Sequence, residues 1–283
     1  MNNSFNLTNL EKQLWPGVTK KDLITYLIYV GPTMTNYLLN RPLALLRAPN
    51  GIDGESFFQK NVPPFAPEKI QRWEFKHNDR LTQYMLLDSV ENLIYLGNLA
   101  CVEIHSWLST IDRWANPKEI VIDLDPNPTE DFSTWQHGAY LIYELLLKLK
   151  LKSYPKITGK KGVHIMIPIV PKYNFKQLSF FLEAFKELVI GRWPDLFTGE
   201  LRKEKRQAPI FLDLGQNGLK KTVIAPYSPR FSSDATVAVA LNWPEFLSLK
   251  SKPKWSVKAN NWPPLFTFPS FKQEIPQTWI ETS

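Results

Sequence analysis

The spacing of apolar positions changes along this chain, and each change marks an element. Between 132 and 150, Trp135, Ala139, Ile142, Leu146 and Leu149 recur three or four residues apart, the spacing that lines one face of a helix. Leu178, Phe181, Leu182, Phe185 and Val189 predict a second helix over 175–190. Two earlier helices are expected. One covers 19–30, with Thr19 as N-cap and Asp22 at the capping-box position, and the other covers 90–101. Shorter apolar runs read as strands: 43–47 and 56–59 around a Pro-Asn-Gly turn at 49–51, then 102–107, 119–124, 163–169, 210–214 and 222–225. From 102 onward the order is β, β, α, β, α, β, β. That predicts an α/β (α+β) arrangement with helices packed on a sheet, nearer to the split βαβ class than to a doubly wound sheet. No strand is followed by GxGxxG or GxxxxGK[ST].

Composition narrows the class. The 283 residues are 43% hydrophobic, with ten Trp, ten Tyr and seventeen Phe, enough for a sizeable core. A net charge of +7 suits a polyanionic partner. A single cysteine, Cys101, excludes an internal disulfide framework or zinc ribbon and fits a reducing cytoplasm. The first residues lack the basic and apolar pattern of a signal peptide, and no run of apolar residues is long enough to span a bilayer, so no membrane association is expected. Prolines cluster at 63–67 and from 253 onward. The second cluster predicts an irregular C-terminal segment held on by its aromatics.

The stretch Val121-Ile-Asp-Leu-Asp-Pro126 carries the first chemistry. Asp123 and Asp125 are two apart on an expected strand and so share a face. Alone, the pair also reads as a polar strand end. A third acid, Asp213, ends the apolar run Ile210–Leu212. If that strand neighbours the first, the three carboxylates converge, and such a set suits hard divalent ions and phosphoryl transfer. A HAD-type phosphatase also begins from DxD after a strand, but its other motifs are absent.

Phosphate-binding features follow. In Lys156-Ile-Thr-Gly-Lys-Lys-Gly-Val-His164, two glycines let the backbone approach an anion, Lys160 and Lys161 add charge, and His164 enters the next strand. Residues 196–230 hold seven Lys or Arg against three acids, and Arg206 and Arg230 are the best phosphate forks. In the 43–60 hairpin, Arg47 and Lys60 accompany Phe57 and Phe58, a pattern suited to stacking bases. One of the two Phe is expected to pack inward and the other to offer its face.

These segments, in this order, resemble the polymerase domain of bacterial end-joining ligase D, in the archaeo-eukaryotic primase superfamily. The likeness runs from about Trp15 to Trp243 and includes WPGVTKKDLITYL, RPLALLRAPNGIDGESFFQKN, NLACVEIHSW, DLDP, TGKKGVHIMIP and LDLGQNGLKKTVIAPYSPR. It implies one catalytic domain: an N-terminal DNA-contacting module over about 1–100, an RRM-like core over about 101–245 and an extension over about 246–283. It implies template-directed addition of NTP or dNTP at broken DNA ends with two Mn²⁺ or Mg²⁺ ions, with ribonucleotides preferred. By position, Asp123, Asp125 and Asp213 would bind metal. Thr158, Lys161, His164, Arg206, Gln216, Arg230 and His105 would meet the nucleotide. Lys20, Arg47, Phe57, Phe58 and Lys60 would face DNA, Lys20 at a downstream 5′-phosphate. Gapped or 3′-overhanging 5′-phosphorylated ends, Ku and an ATP-dependent DNA ligase are the implied partners, in a cytoplasmic, nucleoid-associated setting. A de novo primase or a non-catalytic DNA-end-binding module recruiting a ligase are the alternatives. The family has Ser where Thr158 stands and Thr where Ile157 stands, and Ala208-Pro209 replaces its usual Gly-Arg or Gly-Lys.

Overall fold

The computed structural model describes residues 5–269 and 272–280. The chain forms two compact units, each discontinuous in sequence. The first takes the chain up to Asp112, then Thr222–Val239 and Lys254–Thr267. The second takes Arg113–Lys221, Ala240–Pro253 and the described residues from Phe268.

The first unit holds an antiparallel sheet of four strands, in the order Thr222–Ile224, Cys101–Trp107, Leu43–Arg47, Phe57–Gln59. The Cys101–Trp107 strand was expected to open the catalytic core. It pairs with Leu43–Arg47 on one side and Thr222–Ile224 on the other, within the unit whose first segment ends at Asp112. Linear order could not reveal this, because both partners are remote in sequence. Two helices accompany the sheet. Lys20–Leu38 has the Thr19–Asp22 capping box in both directions. It runs eight residues past the expected end at Val30, straight through Pro32. Proline removes one backbone donor, and buried Met34 and Leu38 hold the helix together beyond it. The Val90–Asn98 helix lies close against it: a Cβ on Gly31 would sit 2.7 Å from Val90, and one on Gly97 would sit 2.9 Å from Ile24. The sequence reading missed a hairpin, Arg72–His77 with Arg80–Met85. Its tip, Asn78-Asp79, has positive φ at both residues (46° and 59°), the geometry of a two-residue hairpin turn. Trp73 and Phe75 from it pack edge-on against Trp107.

The second unit orders five strands as Phe197–Thr198, Ile210–Asp213, Glu119–Pro126, Val163–Pro168, Tyr154–Ile157. The first pair is parallel and the rest are antiparallel. Ile120, Ile122 and Leu124 are buried on one face of the central strand. The Phe132–Lys148 helix covers that side, with Gly138 brought against Ile210 and Phe197. The opposite face carries Asp123 and Asp125. The expected C-terminal aromatic packing is seen in both units, with Trp262 stacked on Tyr29 at 4.5 Å and Trp279 edge-on to Phe181 at 5.7 Å. Among the described residues no helix is long and apolar enough to cross a membrane.

Gly162 fixes the turn between the last two strands. Its φ is +103°, and a Cβ there would lie 2.5 Å from the Leu124 carbonyl oxygen. Gly162→Ala should therefore cost about 1–3 kcal/mol or more in urea denaturation. An unchanged unfolding midpoint would contradict this account of the turn.

Candidate active site

The second unit builds a row of side chains across four strands. Asp213 pairs with Asp123, Asp123 with His164, and His164 with Lys156. Directly opposed residues of antiparallel strands share a face, so an acid, an acid, an imidazole and an amine stand side by side. Asp125 joins the same face one step along, opposite Phe211. The structure thus places Asp123, Asp125, Asp213 and His164 on one face of three neighbouring strands.

Each carboxylate is already engaged. Asp123 Oδ2 lies 3.4 Å from His164 Nε2. Asp125 Oδ2 lies 3.6 Å from Arg206 Nη1. Asp213 Oδ1 accepts from the Gly215 N–H at 2.8 Å. Arg206 is itself held, with its guanidinium 4.0 Å over the Phe211 ring and its Nε donating to the Glu200 carbonyl at 3.0 Å. Burial, then the neighbouring Asp123 charge, pushes the Asp125 carboxyl above the usual carboxylate range, against the pull of Arg206 and Lys203. Among the described residues no three His, Cys, Asp or Glu side chains stand converged as a ready-made metal cage. The donor set still fits a hard cation: three carboxylates on one face, each turned to a donor that a cation would replace.

The other expected nucleotide contacts in this unit differ in detail. The Thr158 hydroxyl donates within its own turn, to the Lys161 and Gly162 carbonyls at 3.0 and 3.2 Å. It shapes the loop that leads to His164. Lys161 is exposed, with Nζ 3.4 Å from the Pro128 carbonyl just beyond the Asp125 strand. Gln216 is half-buried on the turn after Asp213. Its neighbour Asn217, missed in the sequence, holds that turn. Its amide accepts from Val121 N at 2.8 Å and donates to Val121 O at 2.7 Å, so a side chain prolongs the ladder where the Asp213 strand ends. Lys156 was also missed, because a strand lysine reads as solvent-facing, yet this one is fully buried.

His105 and Arg230 lie in the first unit, gathered on Glu103. Glu103 Oε1 accepts from Arg230 Nε at 3.0 Å, and Oε2 lies 2.9 Å from His105 Nε2. Of the expected DNA-facing set, Lys60 is exposed. Phe57 and Phe58 are 41% and 62% exposed, so neither packs inward as expected, because the short strand that carries them lies at the sheet edge. Arg47 sits 5.3 Å from the Phe57 ring centre and donates to Leu99 O and the Gln59 side chain. Lys20, in contrast, is buried, and its Nζ donates to Thr8 O at 3.0 Å. Burial, then the cations Lys12 and Arg47, lower its pKa.

The chain has clear relatives. The family model for the LigD primase-polymerase domain matches residues 19–261. The bifunctional non-homologous end joining protein LigD of Bacillus subtilis is 35% identical over 81% of this chain and 37% of its own length. The multifunctional non-homologous end joining protein LigD of Mycolicibacterium smegmatis is 30% identical over 84% of this chain and 32% of its own. The chain thus spans about a third of the length of these curated relatives. Among solved structures, the polymerase domain from Mycobacterium tuberculosis ligase D in complex with DNA superposes with a TM-score of 0.80 at 27% identity, over 88% of this chain and 91% of that one. Fold and likeness together define the class: a domain of the primase-polymerase type, whose relatives are nucleotidyltransferases. The chain belongs to the LigD primase-polymerase domain family.

The Asp125 shift has a signed consequence. A raised folded-state pKa means that the fold binds the proton more tightly than the unfolded chain, so stability falls as pH rises from the ordinary carboxylate value through the raised one. Calorimetry in chelator should find Asp125→Asn with a higher Tm than the parent at neutral pH, the difference vanishing below the ordinary carboxylate range. A variant without that neutral-pH gain would show that Arg206 and Lys203 outweigh the burial and the Asp123 charge.

Proposed function

We propose that this chain extends 3′ ends at DNA breaks by template-directed nucleotidyl transfer in non-homologous end joining. The carrying observation is the in-register row of Asp213, Asp123 and His164, with Asp125 beside it. Asp123, Asp125 and Asp213 would hold Mn²⁺ or Mg²⁺, two ions in the full site. Bound there, the ions supply charge neutralisation and Lewis acidity for displacement at a phosphate.

The chain's own groups do the rest. Arg206, stacked on Phe211 and tied at Nε to Glu200 O, offers a cation whose orientation is set before the substrate arrives. Such preorganisation favours binding, because little rotamer freedom is left to lose. His164 is held by Asp123 and is suited to donate to a phosphate oxygen. Thr158 closes the turn that presents Lys161 and His164 to the triphosphate. Gln216 completes the proposed nucleotide contacts of the second unit, and Arg230 and His105 are proposed nucleotide contacts of the first.

The DNA side rests on the first unit. Exposed Phe57 and Phe58 offer ring faces to bases, and Arg47 and Lys60 offer charge. Lys20 is buried with its Nζ donating to Thr8 O, and a downstream 5′-phosphate would take over that bond. The M. tuberculosis relative, solved with DNA, supports this use of the fold. Ku and an ATP-dependent DNA ligase are the partners that the end-joining relatives suggest.

Primer extension on gapped, 5′-phosphorylated DNA, with each NTP and dNTP and with or without Mn²⁺, tests the function, and a primer-free template separates extension from priming. Asp123→Ala should abolish incorporation and keep DNA binding near the parent level. Incorporation that survives Asp123→Ala would sink the active-site assignment. Lys20→Ala should weaken binding to 5′-phosphorylated ends more than to 5′-hydroxyl ends. Equal loss on both would rule out a phosphate contact at Lys20.

A further inference from the structure

Glu103 is the hub of the first unit's candidate contacts. It precedes His105 by two residues on the Cys101–Trp107 strand, so the two side chains share a face. It is 3% exposed. A carboxylate so buried is costly unless its oxygens are matched. Here one oxygen, Oε1, accepts from both Arg230 Nε and the Phe231 N–H, each at 3.0 Å. The other, Oε2, lies 2.9 Å from His105 Nε2. The segment that carries Arg230 is also tied to this strand, through Ile104 N donating to Ser228 Oγ at 2.7 Å. Phe58 closes on His105 edge-on at 5.7 Å.

The arrangement is specific. An arginine held at Nε has the plane of its guanidinium set at the stem, and an imidazole held at Nε2 has its ring orientation set. One carboxylate does both, for two residues 125 positions apart in the chain. We propose that Glu103 is the positioning residue for the incoming nucleoside triphosphate, fixing Arg230 and His105 in the attitude in which they meet it. This rests on the reading of Arg230 and His105 as nucleotide contacts. Without Glu103, both side chains would have to be ordered by the nucleotide itself, and affinity would fall by the cost of that ordering.

The test is a double-mutant cycle in primer extension, read as nucleotide KM and as affinity for DNA alone, with Tm recorded for each variant. Glu103→Gln keeps the shape and removes the charge. It should raise nucleotide KM roughly tenfold, the worth of one hydrogen bond to a charged group. DNA affinity should stay at the parent level. Arg230→Ala should raise nucleotide KM at least as much, and adding Glu103→Gln to it should cost clearly less than Glu103→Gln costs alone, the remainder being the share that acts through His105. If Arg230→Ala leaves nucleotide KM unchanged, the nucleotide-contact reading fails and the proposal falls with it. If Arg230→Ala raises KM but Glu103→Gln at parental Tm does not, or if the two penalties add in full, the contact stands and the positioning role of Glu103 is overturned. Should Glu103→Gln fail to fold, Glu103→Asp carries the test, since it leaves Arg230 and His105 intact and draws the carboxylate back from both. A raised KM supports the proposal, and a parental KM refutes it.

Discussion

Asp213 stands directly across an antiparallel ladder from Asp123, and much of the second unit answers to that opposition. Like charges facing each other across two strands destabilise the pairing. The fold surrounds the pair with compensation rather than separating it. His164 flanks Asp123 on the far side, Arg206 stands by Asp125, and the Gly215 N–H takes the Asp213 carboxylate. The apolar face beneath, with Ile120, Ile122 and Leu124 fully or almost fully buried, sets the register that keeps the acids opposed. A slip of one residue would turn those three outward and the acids into the core. The strand therefore cannot relieve the repulsion by shifting, and the tension stays at the surface where a cation would end it.

The first unit handles a buried charge in the opposite way. Glu103 is enclosed and its oxygens are matched by Arg230, Phe231 N and His105. The acids of the second unit are left partly open, with side chains of Asp123 and Asp125 20% and 40% exposed against 4% for Glu103. Open acids that repel suit a site that must exchange ligands. A closed acid whose partners are fixed suits a bracket. The two kinds of carboxylate differ in burial and company, and that difference separates proposed ligand from proposed support.

Much of this was legible in the sequence. The 3.6-residue pattern around Trp135 and Phe181 gave both long helices of the second unit, and the alternation around Ile120–Leu124 gave the central strand with its acids on one side. What the sequence withheld was register and long-range pairing. Lys156 is a lysine on a strand, ordinarily solvent-facing, and only its pairing with His164 places it at the end of the row. Glu103 lay inside a recognised motif, but its meaning depends on Arg230, which the chain brings back from 127 residues away. The Pro32 helix reads as broken by local propensity and is continuous because packing overrides it. The Arg72–Met85 hairpin did carry a period-2 signal in Trp73 and Phe75. Its Asn-Asp tip lacks the glycine that usually announces such a turn.

Thr158 serves the turn in which it stands. A hydroxyl in a glycine-rich turn before a histidine strand suggests direct phosphate contact. Here the hydroxyl donates to the Lys161 and Gly162 carbonyls, so its proton is committed to the turn. The positive φ at Gly159 and Gly162 allows the chain to fold back tightly enough for that bond to form. The same turn delivers His164 into register with Asp123. Loop closure, strand register and the placing of the imidazole are thus one local event, set by residues 158–164. The precision of the row across the sheet depends on this turn as much as on the acids themselves.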